Sequence, residues 1–134
     1  MGGGSETVCS LPQYTIITQE HSLSDQAKLK MANEITRIHT AVMKVPRSFV
    51  RVVFLSYPAG SGYTAGVEAP TAAVNCVLRS GHSMDEKKDM LQQLWSMFQS
   101  MTGIATDQLA IAPLETPSSD AMEMGQIMPA VGQE

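Results

Sequence analysis

The chain states one short pattern twice. "EHSLSDQAKLKM", residues 20–31, and "GHSMDEKKDM", residues 81–90, both carry His-Ser, then an acidic residue, then the start of an amphipathic helix. The two copies lie about 60 residues apart. A strand-like run precedes each copy and another follows it: "YTIIT" at 14–18, "SFVRVVFLS" at 48–56, "AAVNCVL" within 72–78 and "QLAIA" at 108–112. These runs are rich in β-branched and aliphatic residues, as strands require. A helix linking two strands of one sheet makes them parallel, with a right-handed crossover. Two such units in tandem predict an α+β fold, a four-stranded mixed sheet with both helices on one face. The uncovered face would be apolar and is expected to meet neighbouring subunits.

Local signals sharpen the boundaries. Ser22 and Ser24 are candidate N-caps for the first helix, and Asp25 suits the positive end of its dipole. Ala27, Met31, Ile35, Ile38 and Val42 then form one helical stripe, which "KVP" at 44–46 ends. Residues 57–66, "YPAGSGYTAG", read as a turn, a loop or a hairpin. Ser83 and Glu86 have the spacing of a capping box, and Gly103 follows an apolar face made of Met90, Leu91, Leu94, Trp95, Phe98 and Met101. Residues 1–11 read as a flexible leader. Residues 12–134 form one domain, with a Pro-, Ser- and Met-rich tail from about 113 and a helical turn at 118–124.

Bulk properties exclude several classes. A chain of 134 residues with 43% hydrophobic and 16% charged side chains suits a single globular domain. Net charge is −4, and the 9 basic side chains are scattered, so no footprint for nucleic acid or an anionic membrane is expected. No apolar run approaches the roughly 20 residues that span a bilayer, and the N-terminus lacks a secretory pattern. In "MGGGSE" the sixth residue is Glu6, where myristoylation wants Ser or Thr. Two cysteines make no disulfide framework, and a cytoplasmic location is expected. There is no phosphate-binding loop, no paired-cysteine site and no Gly-x-Ser-x-Gly elbow, and the three histidines lack metal spacing. Neither cofactor nor metal is expected.

Four side chains merit weighing against plainer roles. His39 borders the apolar stripe of the first helix, where a half-buried structural histidine would also sit. Arg79 closes the third strand just before a helix start, a place suited to clamping an anion, although a solvated strand-end arginine looks the same. His82 lies beside that helix start and could be an ordinary loop residue. Glu123 is a carboxylate in the largely apolar run "DAMEMGQIMP".

From Pro12 onward the sequence resembles the tautomerase superfamily, in particular its cis-3-chloroacrylic acid dehalogenase branch. The likeness runs through "PQYTIITQEHSLSDQAK", "ANEITRIH", "YPAG", "VLRSGHS" and "ETPSSDAMEMGQIMP", in order and over residues 12–129. It implies two β-α-β units, a trimer and an N-terminal proline acting as acid or base. Carried onto matching positions, it makes Pro12 and Glu123 the catalytic pair, with Glu123 activating water, and makes His39 and Arg79 the binders of a small carboxylic acid. Two departures stand out. His82 occupies the place of the family's second arginine, and Ala112 occupies that of the tyrosine which assists with water, which puts hydrolytic dehalogenation in question.

The leader decides how Pro12 can act. A free proline is a secondary amine that can exchange protons; acylated by Leu11 it is an amide with no basicity. A start at Leu11 from a non-AUG codon, cleavage after Leu11, and a retained leader are all compatible with the sequence. The first two point to proline acid–base chemistry on a 2-oxo or α,β-unsaturated acid. The third points to a ligand-binding or partner protein, or to chemistry by His39 and Glu123 on a larger intermediate.

Overall fold

A computed structural model describes residues 12–123 and 125–127. The leader at 1–11, expected to be flexible, lies outside the described residues, as does the chain beyond 127.

The first strand, β1 (Gln13–Gln19), turns Tyr14, Ile16 and Thr18 into the core and Thr15 and Ile17 to the other face. That two-residue period is what a strand covered on one side demands. Helix α1 (Asp25–Met43) follows. Of the two candidate caps Ser24 takes the role, its Oγ accepting from the Ala27 amide at 3.1 Å. Lys44 ends the helix in the left-handed region at φ 60°, and its amide donates to the Thr40 carbonyl. The expected stripe is buried at Met31, Ile35 and Ile38 and half-buried at Ala27 and Val42; His39 and Met43 join it.

Strand β2 (Arg51–Tyr57) begins later than the β-prone run, because Arg47–Phe49 forms a turn of 3-10 helix first. A small hairpin comes next, made of β3 (Tyr63–Thr64) and β4 (Val67–Glu68). Gly62 leads into it at a close approach: a Cβ there would sit 2.7 Å from the Ala69 carbonyl oxygen and against the Tyr57 ring, so only glycine fits. Strand β5 (Ala72–Arg79) then feeds helix α2 (Met84–Thr102). The capping box forms in full: Ser83 Oγ accepts from the Glu86 amide, and Glu86 Oε1 accepts from the Ser83 amide. Gly103, at φ 67°, supplies the left-handed C-cap.

Two expectations need correction near the end of the chain. The last sheet strand, β6 (Leu109–Thr116), does not stop at residue 112; it runs through Pro113, so the tail does not begin there. Proline was misleading as a terminator because β6 is an edge strand, where a missing ladder donor costs nothing. The helical turn expected over 118–124 is limited to a 3-10 turn at Ser118–Asp120, followed by β7 (Met122–Glu123) paired antiparallel with β8 (Gln126–Ile127).

The main sheet has the order β2-β1-β5-β6. The outer pairs β1·β2 and β5·β6 are parallel, each bridged by its helix, and the central pair β1·β5 is antiparallel. This is the expected mixed sheet of two tandem units. Both helices cover one face: Met90, Leu94 and Phe98 of α2 join Met31, Ile35 and Ile38 of α1 over Ile16, Val74 and Leu78. The opposite face is apolar and open, with Val53 43%, Leu55 51% and Leu114 66% exposed.

The capping box yields a stability prediction. Ser83→Ala should lower unfolding free energy by about 1 kcal/mol in urea titrations, and an unchanged midpoint would mean the cap contributes nothing.

Candidate active site

The pairing Gln13↔Val77 brings the head of β1 to the tail of β5, so Pro12 and Arg79 lie at the same end of the sheet. Pro12 is almost fully buried. Its carbonyl accepts from the backbone amide of Arg51, the first residue of β2, at 3.3 Å. The Arg51 side chain reaches the other way and donates from Nη2 to Glu123 Oε2 at 3.0 Å. Arg51 thus ties Pro12 to Glu123 across 72 positions of sequence. Arg51 is half exposed, whereas the Glu123 side chain is only 6% exposed. The second carboxylate oxygen, Oε1, is buried and is the one buried side-chain polar atom without a partner among the described residues. A buried acceptor left open in this way is costly, and a ligand donor would relieve the cost.

A second group of side chains surrounds His39. Its Nδ1 lies 2.7 Å from the Tyr14 hydroxyl, two residues along β1 from Pro12, with the rings edge to face. Burial, and then the neighbouring His82, push the imidazole down to about 4. His82 is also held below its usual value, first by burial, with the Arg79 charge acting in the same direction and Glu86 opposing it. His82 Nδ1 stands 3.8 Å from Glu86 Oε1. Arg79, 3% exposed at the end of β5, is the fixed cation of this group. Burial pushes the Cys76 thiol up to about 12 and the Tyr14 phenol well above its ordinary value. At neutral pH the group therefore holds neutral imidazoles, a neutral phenol and a neutral thiol beside one guanidinium.

All five residues singled out from the sequence sit at this end of the fold: Pro12 and Glu123 in one group, His39, Arg79 and His82 in the other. Two further residues, Arg51 and Tyr14, emerge only in three dimensions. Arg51 is the sole charged residue inside "SFVRVVFLS", and that isolation was the available signal. Tyr14 gave only its place in the strand alternation. No cluster of three metal-ligating side chains occurs among the described residues, and none of the helices among them is long and apolar enough to cross a membrane.

The fold recurs in known proteins. The sequence profile of a family described as putative oxalocrotonate tautomerase enzyme matches residues 11–134. Among curated proteins, no sequence matches the chain. The crystal structure of native Ps01740 superposes with a TM-score of 0.81 at 30% identity, covering 83% of this chain and 99% of that one. N1, a member of the cis-3-chloroacrylic acid dehalogenase family, gives 0.83 at 24% identity, covering 90% and 86%. A fused 4-OT solved as a symmetric trimer gives 0.79 at 18% identity, covering 87% and 94%. At their identities the last two speak for the fold alone.

The depressed imidazole makes stability depend on pH. His39 is harder to protonate folded than unfolded, so its contribution is complete above its unfolded value of about 6.5 and is lost as pH falls through about 4. Acidification across that window should cost on the order of 3 kcal/mol from this residue. His39→Gln should flatten that part of the stability profile in denaturant titrations at stepped pH. An unchanged profile would place the titration elsewhere.

Proposed function

Since this chain belongs to the putative oxalocrotonate tautomerase family of the tautomerase superfamily, we propose that it is an enzyme acting on a small 2-oxo or α,β-unsaturated carboxylic acid, as a cytoplasmic homotrimer of the cis-3-chloroacrylic acid dehalogenase-like kind. The observation that carries this reading is the open Oε1 of Glu123, a carboxylate held through Oε2 by Arg51, whose own backbone amide donates to the carbonyl of the buried Pro12. As a free amine, Pro12 takes a proton from the carbon beside a carbonyl; the C–H electron pair becomes the enol double bond, and return of the proton to a different carbon completes an isomerisation. Arg79 anchors the substrate carboxylate and His39 donates to its carbonyl. Glu123 accepts or relays the proton, or orients a water for addition to an unsaturated acid. His82, neutral at pH 7, is a secondary polar contact rather than a second cation.

The open sheet face supports the trimer. The exposed Val53, Leu55 and Leu114 on that face suit burial against a neighbouring subunit. Leu55→Lys should shift light scattering from a trimer to a smaller species, and a native protein that scatters as a monomer would remove this part of the reading.

A second reading is favoured by one observation: eleven residues precede Pro12 in the sequence. With Leu11 still attached, Pro12 is an amide and the pocket serves as a binding site, or His39 and Glu123 handle protons on a larger intermediate. Intact mass of the protein from its native source separates the two. A mass beginning at Pro12, with turnover of enol or unsaturated acids lost in both Pro12→Ala and Arg79→Ala, is the expected result. A mass that includes the leader would end proline acid–base chemistry for this chain.

A further inference from the structure

The phenol of Tyr14 has one proton and three neighbours. His39 Nδ1 lies at 2.7 Å, Met90 Sδ at 3.4 Å, and Cys76 is its register partner across the β1·β5 seam. Only two arrangements satisfy the ring. In the first, the phenol donates to a bare Nδ1, the imidazole proton sits on Nε2, and the phenol oxygen is left to accept from the Cys76 thiol. In the second, Nδ1 carries the proton and donates to the phenol oxygen, while the phenol proton turns to Met90.

The first arrangement is the stronger. A thioether is a weak acceptor and an imidazole nitrogen a good one, so the second exchanges a good O–H···N bond for a poor O–H···S contact. The 2.7 Å separation fits a hydrogen bond with either group donating, so the acceptor strengths decide. The groups facing His39 are Tyr14 from β1, Cys76 from β5 and Met90 from α2 through that phenol, and His82 from the loop ahead of α2. None of them is a carboxylate that would favour an imidazolium.

We propose that Tyr14 is a positioning residue: its phenol donates to His39 Nδ1 and so fixes the imidazole in the tautomer that bears its proton on Nε2, the nitrogen left for a bound carbonyl or carboxylate. This rests on the reading of the site as one for a small oxo or unsaturated acid, since a bare Nε2 would repel such a ligand and a protonated one receives it. It also makes His39 a neutral donor rather than a proton source, leaving acid–base work to Pro12 and Glu123.

The deciding experiment is a long-range 1H–15N spectrum of the full chain labelled at histidine, at neutral pH. His39 is expected with a protonated Nε2 and a bare Nδ1; the reverse assignment overturns the proposal whether or not any acid is turned over. Loss of turnover with every acid tried would instead remove the function of the previous subsection and leave the tautomer result standing. Tyr14→Phe is expected to give a mixed or reversed tautomer signal and to lower kcat/KM about tenfold. In a His39→Gln background, where the amide donates without help from the phenol, the same change should have little further effect. An equal loss in both backgrounds would make Tyr14 a packing residue and nothing more. Should Tyr14→Phe fail to fold, the native tautomer decides alone.

Discussion

The antiparallel seam between β1 and β5 organises everything else. Each β-α-β unit is parallel within itself, so without the seam the head of one unit would lie far from the tail of the other. Pairing Gln13 with Val77 reverses one unit against the other and delivers Pro12 and Arg79 to one end of the sheet. The helices need no special geometry to serve this arrangement; their caps at Ser24 and Ser83 fix where they start. Packing then does the rest, since Tyr14 must be buried with its hydroxyl satisfied and His39 is the residue α1 presents there.

Much of the fold was legible because the repeat, the caps and the two periods agree with one another. Capping residues act over three or four positions and could be read from spacing, as at Ser83 and Glu86. Pro113 misled because a proline carries opposite meanings on edge and central strands, and edge status is a property of the assembled sheet. The closing β7·β8 hairpin was missed for a related reason: strands of two residues carry no periodicity. The site was half legible. Pro12, His39, Arg79, His82 and Glu123 fall at one end of the fold, yet the side chains that hold two of them in place are set by contacts 25 and 72 positions apart in sequence. No local pattern encodes a partner at that distance.

Electrostatically the site works by withholding charge. Burial holds His39, Tyr14 and Cys76 neutral at pH 7, and His82 is biased the same way. Against that background the buried Arg79 guanidinium acts more strongly than a charge in open water would.

The seam also sets how far the site can be divided. His39 sits in the first helix, Arg79 at the end of β5 in the second unit, and Glu123 beyond both units. Neither β-α-β unit alone carries all three, so the candidate site exists only in a chain folded along its whole length, although the backbone repeats.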